Sequence, residues 1–227
     1  MFKLGNPLNY IIGFFHTILN FFHTYTHSWG WAIILLTVLI KFILFPTTIN
    51  QFRMMDKMKK IQPKLKEIQD KYKDKPEEFQ RRTMELYKTE KVNPFGSCLP
   101  LLIQLPLLWA IFGLLQNPDY IKTIQNEKFL WFLLKDKGDY ALAIISGITT
   151  FIQQKLTTPA TTGTGNDSTQ QIFLYFMPVM FGFFTFSVNA GIGLYWVTSN
   201  IVGILQQYLI NEYFIVKEHI HKDEGKA

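Results

Sequence analysis

Cysteine is almost missing from this sequence of 227 residues, in which Cys98 stands alone inside an apolar run. An internal disulfide is therefore excluded. The sequence also lacks a phosphate-binding loop, a nucleophile grouped with a histidine and an acid, and the ligand spacing of a zinc site. His23 and His27 lie four residues apart, but two ligands without a third do not form a metal site. We therefore predict a protein that is not an enzyme and that uses neither a metal nor a cofactor.

The first residues lack the features of a cleaved leader. They contain one basic residue, Lys3, with no compact apolar segment and no small-residue cleavage site behind it. No cysteine for lipid attachment follows. We expect neither a signal peptide nor an organellar transit peptide.

Charged residues are missing from several long stretches, although apolar residues make up 48% of the chain. Residues 53–91 hold 13 of the 23 Lys and Arg residues, a segregation typical of membrane spans joined to a soluble segment. About 20 helical residues cross the roughly 30 Å hydrocarbon core of a bilayer. We predict an all-α integral membrane protein with a five-span helical bundle. The first span occupies 29–52, its apolar run ending at about Pro46, and spans two to five lie within 92–216, at about 95–116, 140–156, 171–188 and 192–215.

The N-terminal region, residues 1–28, contains an amphipathic pattern that predicts a helix over 7–27. Polar residues recur at helical spacing on one side, and aromatic and aliphatic residues fill the other. A span would be apolar all round, so we expect this helix to lie in the membrane interface on the extracellular side. A sixth span is the alternative, because aromatic-rich segments blur the distinction.

Residues 53–91 have a charged, helix-favouring composition and predict a cytoplasmic helical hairpin. Ile61, Leu65 and Ile68 continue an apolar stripe, and Pro76 suits the first position of a second helix. The basic surface is either solvated near anionic lipid or a docking surface for RNA or a ribosome, and no recognition of a nucleic-acid sequence is expected. Methionines here are ordinary packing residues or adaptable binding residues for apolar segments. The candidate residues for substrate capture are Met54, Met55, Met58, Lys59 and Lys60.

The distribution of basic residues predicts the orientation. The hairpin is strongly basic, and the short tail at 217–227 adds Lys217, Lys222 and Lys226. The N-terminal region and the loop at 117–139 hold few basic residues. By the positive-inside rule, the hairpin and the C-terminus are cytoplasmic and the N-terminus is outside.

Lys41 is the one strongly basic residue in the middle of a predicted span. It lies 12 residues after Trp29 and 12 before Arg53, about 18 Å from either end by helix rise. A charge at this depth costs roughly 2.5–3.5 kcal/mol on insertion scales, so it needs a partner or a wet cavity. The one Asp or Glu in a predicted span is Glu212, close to the cytoplasmic end of the fifth, so no carboxylate lies at the depth of Lys41 and we expect a wet pocket around it.

Neutral polar residues recur at helical spacing in several predicted spans. Each of these helices thereby has one polar face, as expected for a hydrophilic groove inside a bundle. The alternative for any single Ser, Thr or Gln is a packing hydrogen bond between helices, worth about 0.6–2 kcal/mol. The polar positions are Thr37 in the first span, Gln104 in the second, Ser146, Thr149, Thr150, Gln153 and Gln154 in the third, and Tyr195, Ser199, Asn200 and Gln206 in the fifth.

Four segments resemble the YidC–Oxa–Albino family of membrane insertases. They are GWAIILLTVLIKFILFP at 30–46, EKVNPFGSCLPLLIQLP at 90–106, Gln154 with Lys155, and GLYW at 193–196 followed by Ser199 and Asn200. The likeness extends over nearly all of 29–215, and the second segment is highly specific. It implies five core spans, a cytoplasmic hairpin after the first, and a hydrophilic groove open to the cytosol and to lipid.

The resemblance also implies roles for individual residues. Lys41 matches a groove position that is normally arginine, so the charge is kept and the planar guanidinium fork is lost. Gln104 and Gln154 match the groove's glutamines, and Trp196 matches its aromatic residue. The chain resembles a short bacterial form of the Gram-positive type, without a large periplasmic domain and located in the plasma membrane. The candidate groove residues are thus Lys41, Thr37, Gln104, Ser146, Thr150, Gln153, Gln154, Tyr195, Trp196, Ser199 and Asn200.

A membrane insertase and chaperone that works without ATP is the function that this resemblance implies. We hypothesise that the hairpin contacts an emerging hydrophobic segment and that Lys41 draws its short acidic tail into the groove before the segment enters lipid. The expected partners are nascent proteins with one or two spans and the bilayer, with the ribosome and the Sec translocon as further candidates. A small-anion transporter or channel using Lys41 is the alternative, but it predicts inverted repeats that the sequence lacks. A subunit of a secretion complex is a third reading.

Overall fold

The computed structural model describes residues 7–92, 99–124, 126–157 and 167–224, and the fold is mostly helical, which confirms the predicted helical class. Cys98 and residues 158–166 lie outside this part of the chain. The described helices are α1 (Pro7–Thr26), α2 (Trp29–Ile43), α3 (Phe45–Tyr72), α4 (Pro76–Thr89), α5 (Leu99–Leu115), α6 (Pro118–Thr123), α7 (Tyr140–Thr157), α8 (Asp167–Ser187) and α9 (Ala190–Glu224).

In the part of the chain that the structure describes, no single helix is both long enough and apolar enough to cross a membrane. One pair of consecutive helices meets these two criteria together. The pair is α2 with α3, whose axes differ by 57° at their break. The five spans therefore stay a prediction.

A short antiparallel ribbon interrupts the loop after α6. Strand β1 (Lys128–Phe129) pairs with β2 (Phe132–Leu133), in register Lys128 with Leu133 and Phe129 with Phe132. The ribbon was not predicted, because two-residue strands leave no periodic pattern in a sequence. Phe129 packs directly on Gly30 of α2, where a Cβ would lie 2.1 Å from the Phe129 ring. A glycine is therefore needed where the ribbon meets α2.

The core lies where α2 and α9 pack together, with α7 and α8 on the far side of α9. Ile33, Leu36, Ile192 and Tyr195 are among its most buried side chains. Helices α7 and α8 approach closely, because Gly147 and Gly182 each face a backbone carbonyl of the other helix. Small residues of this kind allow tight contact between helices in a membrane, where the hydrophobic effect adds little to association.

One end of the bundle is tied by hydrogen bonds between distant segments. Asn189 Nδ2 donates to the Leu115 carbonyl at 2.9 Å, which joins the end of α5 to the start of α9. Glu127 accepts from the Ser28 hydroxyl at 2.9 Å and from the Trp29 amide at 3.1 Å, so a loop carboxylate caps α2. The free N–H groups and the dipole of a helix N-terminus favour an anion in this place.

Helix α1 lies across this same end. Ile12 reaches Gly113 near the end of α5, and the His23 ring stacks on Trp29 at 3.9 Å. These two residues of α1 are about 16 Å apart along the helix, yet both contact one end of the bundle. Leu19, between them, is fully buried. Helix α1 therefore crosses the end of the bundle and does not run beside the other helices. The location of α1 in the membrane interface stays a prediction.

The first predicted span meets the hairpin region at a break rather than at a change of composition. Helix α2 ends at Ile43, and α3 begins at Phe45 and continues unbroken past residue 52 to Tyr72. Pro46 lies in the first turn of α3, where its missing N–H is tolerated. The same proline cannot donate to a carbonyl of α2, so the helix is interrupted here.

Helices α3 and α4 pack against each other and are joined by a turn at 73–75. Ile61 and Leu65 form an apolar cluster with Val92, and Leu86 and Tyr87 of α4 pack on it. Pro76 opens α4, as its position in the sequence predicted. The cytoplasmic location of this pair stays a prediction.

Candidate functional site

Helix α9 has two polar faces that point to different neighbours. At 100° per residue, Tyr195, Ser199 and Gln206 fall on one side of the helix, and Trp196 and Asn200 fall about a quarter-turn away. The first group faces α2 and α5, and the second faces α7. We call the first the groove face and the second the α7 face.

Lys41 lies on α2 at the border between its packed side and its exposed side. Ile40 and Thr37 are buried, whereas Phe42 is 74% exposed and continues an exposed apolar stripe. Lys41 itself is half-buried. In the described part of the chain no carboxylate pairs with it. The ammonium group is thus placed at the rim of the helix packing, next to apolar surface made by Trp31, Leu35, Val38 and Phe42.

The groove face connects α9 to both of its neighbours on this side. Gln104 Nε2 donates to the Tyr195 hydroxyl at 2.8 Å, and Gln206 Nε2 donates to the Lys41 carbonyl at 2.9 Å. Ser199 lies on α9 between these two bonds and is buried. The bonds are about 16 Å apart along α9. They outline a wall formed by α2, α5 and α9, with the Lys41 ammonium as its one charged group among the described residues of this wall.

The α7 face is a closed hydrogen-bond network. Trp196 Nε1 donates to the Thr150 hydroxyl at 3.0 Å. With its amide oriented to satisfy both ends, Asn200 donates to Gln153 Oε1 at 2.6 Å and accepts from the Thr150 hydroxyl at 2.8 Å and the Thr149 hydroxyl at 3.1 Å. The Trp196 ring stacks on Phe181 at 4.1 Å. Polar groups that satisfy each other in this way favour the packing role over an open groove.

Three other predicted site residues lie apart from both faces. The Thr37 hydroxyl, 1% exposed, donates to the Ile33 carbonyl of its own helix at 2.7 Å. Ser146 accepts a hydrogen bond from Thr185 at 2.8 Å, which joins α7 to α8. Gln154 Oε1 is buried and has no hydrogen-bond partner in the described structure. The candidate residues are therefore not gathered in one cavity.

The capture residues are only partly available at the surface of α3. Met55 is 6% exposed, and Met58 packs against the cluster of Ile61 and Leu65. Lys59 is exposed, whereas Lys60 pairs with Asp56 at 2.8 Å. Of the two roles that the sequence leaves open for these methionines, packing is the one that fits Met55, because the side of α3 that carries it is packed.

The sequence pattern does not predict the exposure or the contacts of several residues near these surfaces. Met84 of α4 is 53% exposed and is the methionine on this pair of helices with most free surface. Thr185 and Phe181 support Ser146 and Trp196, and no spacing rule connects them, since these contacts join different helices. Gln206 was visible as a member of the groove face, but its bond to a backbone carbonyl was not.

Ion pairs on α4 show the electrostatics of the exposed surface. The hydrogen bond and charge of Arg81 lower the pKa of the Glu78 carboxyl, with Arg82 adding to the effect. No group of three His, Cys, Asp or Glu side chains in the described residues is arranged to hold a metal ion.

Comparison with known proteins identifies relatives for most of the chain. The family model described as "60Kd inner membrane protein" matches residues 21–218. A protein of Fusobacterium nucleatum named "Membrane protein insertase YidC" is 38% identical over 203 residues, covering 89% of this chain and 95% of that protein.

Longer relatives and a solved structure give the same result. Proteins of the same name from Syntrophobacter fumaroxidans and Campylobacter jejuni are 38% and 39% identical, and the match covers 38% of each of them. A crystal structure described as an active YidC insertase with its first transmembrane domain resolved matches with a TM-score of 0.67 and 29% identity. That match covers 86% of this chain and 46% of the solved one. The chain thus spans nearly all of one relative and less than half of the others.

Proposed function

The chain belongs to the 60Kd inner membrane protein family, and we propose that it acts as a membrane protein insertase in the bacterial plasma membrane. The relatives that match most of this chain carry the name of that activity. An insertase needs no bond-making step, so the protein has to lower the cost of bringing a polar tail through a bilayer. The Lys41 region is the part of the structure suited to that task.

The observation that carries the proposal is the setting of Lys41. Its side chain is half-buried, lacks a carboxylate partner in the described residues and adjoins the exposed apolar stripe of α2. An intramembrane charge of this kind is a functional group by default, because its burial costs several kcal/mol unless something offsets it. A client carboxylate that enters beside Lys41 supplies the missing counter-charge.

The route of a client follows from the two surfaces that meet at Lys41. The acidic tail lies along the wall at its partly exposed residues Lys41, Gln104 and Gln206, whose ammonium and amide groups replace water, while Tyr195 and Ser199 are buried within the wall. The hydrophobic segment meanwhile contacts the apolar stripe and passes into lipid. The membrane potential adds about 2.3 kcal/mol per charge per 100 mV and favours outward movement of a negative tail.

First contact with a client takes place on the α3–α4 pair in this proposal. The half-buried Met54 and the exposed Met84 offer flexible apolar side chains, and Lys59 adds positive charge beside Met58. The same basic surface is where a ribosome would approach, and the Sec translocon is a further partner. Each of these partners is part of the proposal.

Reconstitution tests the electrostatic step. The protein alone, in liposomes without ATP, is offered a single-span client with a short acidic tail, and protease protection of the tail is measured. Lys41→Arg should retain insertion, Lys41→Gln should lower it roughly tenfold, and Lys41→Glu should abolish it, since about 1.4 kcal/mol corresponds to a factor of ten. Lys128→Glu, in the loop after α6, is the matched control for the charge change and should insert normally.

The client provides the second half of the test. Insertion of a client with a neutral tail of equal length should depend little on Lys41. Equal insertion of the acidic client by wild type and Lys41→Glu would remove the electrostatic step. Uptake of a small anion without insertion of the client would show that the protein is a transporter instead.

A further inference from the structure

The end of α2 leaves carbonyl groups that its own helix cannot satisfy. The last four carbonyls of any helix lack an intrahelical donor. The Ile40 carbonyl accepts from the Leu44 amide at 3.0 Å, within the turn that ends the helix. The Lys41 carbonyl instead accepts from Gln206 Nε2 at 2.9 Å, across 165 residues of sequence. A side chain of α9 therefore caps α2 at the residue that carries the groove's charge.

This cap lies directly at the break between α2 and α3. Leu44 has φ −82° and ψ −1°, and Pro46 follows within the first turn of α3. Pro46 has no N–H, so it cannot donate to the Lys41 carbonyl in place of the residue before it. A donor from outside the helix is thus the available way to satisfy this carbonyl in a half-buried place.

We propose that Gln206 is a positioning residue, which holds the last turn of α2 and thereby fixes both the Lys41 ammonium and the direction in which α3 leaves the bundle. The inference rests on the proposed insertase function. A backbone carbonyl held at one point fixes the Cα and the side-chain origin of its own residue. The 57° bend, which aims the α3–α4 pair, starts three residues later.

Gln207 provides a matched control on the same helix. It is more deeply buried than Gln206, but its Nε2 donates to Asn211 Oδ1 at 3.4 Å within α9 and not to α2. Gln206→Met and Gln207→Met therefore remove the same amide from adjacent positions. Only the first loses a bond to the end of α2.

The position of α3 relative to α2 is measured by pulsed electron spin resonance in lipid nanodiscs. Spin labels are placed at Leu35→Cys on α2 and Lys66→Cys on α3, both exposed, in a Cys98→Ser background. The parent and Gln207→Met should give one narrow distance distribution, and Gln206→Met should give a distribution at least about twice as wide. Gln206→Asn, which keeps the amide on an arm one methylene shorter, should broaden it as well and serves if the methionine variant does not fold.

Insertion by the same variants completes the test. Gln206→Met should insert the acidic-tailed client about fivefold more slowly, the factor that corresponds to one lost hydrogen bond, and Gln207→Met should stay within twofold of the parent. An unchanged distance distribution in Gln206→Met, or equal broadening in Gln207→Met, would overturn the proposal. Broadening with normal insertion would leave Gln206 a purely structural residue and overturn its positioning role. Failure of the Lys41 variants to affect insertion would count against the proposed function, while the distance measurement would still decide whether Gln206 holds the bend.

Discussion

The two polar faces of α9 have similar composition but differ in how fully their polar groups are paired. On the α7 face, Trp196 and Asn200 are bonded to Thr150 and Gln153, so the polar atoms satisfy each other. On the groove face, Tyr195 and Gln206 are each bonded once, and the nearby Lys41 ammonium has no carboxylate partner in the described residues.

This difference separates stability from function within one helix. A satisfied buried network stabilises and specifies the packing of the helices that share it, and a partly satisfied network is costly. A half-buried charge without a partner costs folding free energy and remains available to a ligand. We therefore expect substitutions on the α7 face to change stability first, and substitutions on the groove face to change insertion first.

The largest effect on stability should come from the centre of the α7 network. Asn200→Leu leaves Gln153 and Thr150 short of partners, and each buried unsatisfied group costs about 1–3 kcal/mol. We expect the free energy of unfolding to fall by about 3 kcal/mol and the Tm in detergent to fall by roughly 6–12 °C. Tryptophan fluorescence during thermal unfolding measures the change. Ser199→Ala, one residue earlier on the groove face, should cost less than about 1 kcal/mol. Equal losses would mean that the two faces do not differ in the way described.

Gly203 offers a second way to disturb the α7 face without removing a polar group. A Cβ there would lie 2.6 Å from Gln153 Nε2, so Gly203→Ala must displace the Gln153 amide. We expect a loss of up to about 2 kcal/mol, because overpacking costs about 1–3 kcal/mol and the change from Gly to Ala in a helix returns about 1 kcal/mol. Gly13→Ala in α1, where nothing lies within 4 Å of the new Cβ, should be neutral or stabilising in the same thermal scan. A stabilised Gly203→Ala protein would contradict the tight packing of α7 on α9.

Lys41→Leu should change stability and insertion in opposite directions. Removal of a half-buried charge that has no carboxylate partner in the described residues should raise stability by about 1 kcal/mol, since insertion scales assign a charged side chain roughly 2.5–3.5 kcal/mol at full depth. Insertion of the acidic-tailed client should be lost in the same variant. The pair of measurements is a Tm in detergent and the protease-protection assay, with Lys128→Leu as the control. A fall in Tm would indicate that Lys41 has a structural role.

The smallest expected effect concerns the bond between α5 and α9 on the groove face. Gln104→Leu and Tyr195→Phe each remove one side of the bond, and their double variant completes a double-mutant cycle. We expect a coupling free energy of about 0.6–1 kcal/mol, the typical value for a hydrogen bond between membrane helices. Denaturation in mixed micelles measures it. A coupling near zero would mean that Gln104 and Tyr195 act separately on this wall.

Helix positions were largely predictable because periodic patterns report them. The predicted helix at 7–27 corresponds to α1, the second hairpin helix that Pro76 predicted to α4, and the helix predicted at 140–156 to α7. The break at Leu44 lies near the predicted end of the apolar run at Pro46. The continuity of α3 from Phe45 to Tyr72 does not follow from the sequence pattern, because the composition changes from apolar to charged near residue 53 and a helix can continue through such a change.

The candidate site was predictable as a set of residues but not as an arrangement. Polar spacing identified Gln104, Thr150, Tyr195 and Asn200, and the family resemblance added Trp196. Nothing in that spacing distinguishes Tyr195, which faces α5, from Trp196, which faces α7. Met55 was named for capture because its type suits binding, although its side of α3 is packed.

The sequence by itself determined the helical character of the chain, the segregation of its charges and the presence of one lysine within an apolar helix, because these depend on composition and on the 3.6-residue repeat. The tertiary structure alone decided which polar groups meet each other and which stay available. The reason is physical: a hydrogen bond between helices depends on the rotation and depth of both helices, and Gln206 and Lys41 are 165 residues apart. The same kind of side chain therefore becomes part of a closed network on one face of α9 and of a wall beside the half-buried Lys41 on the other.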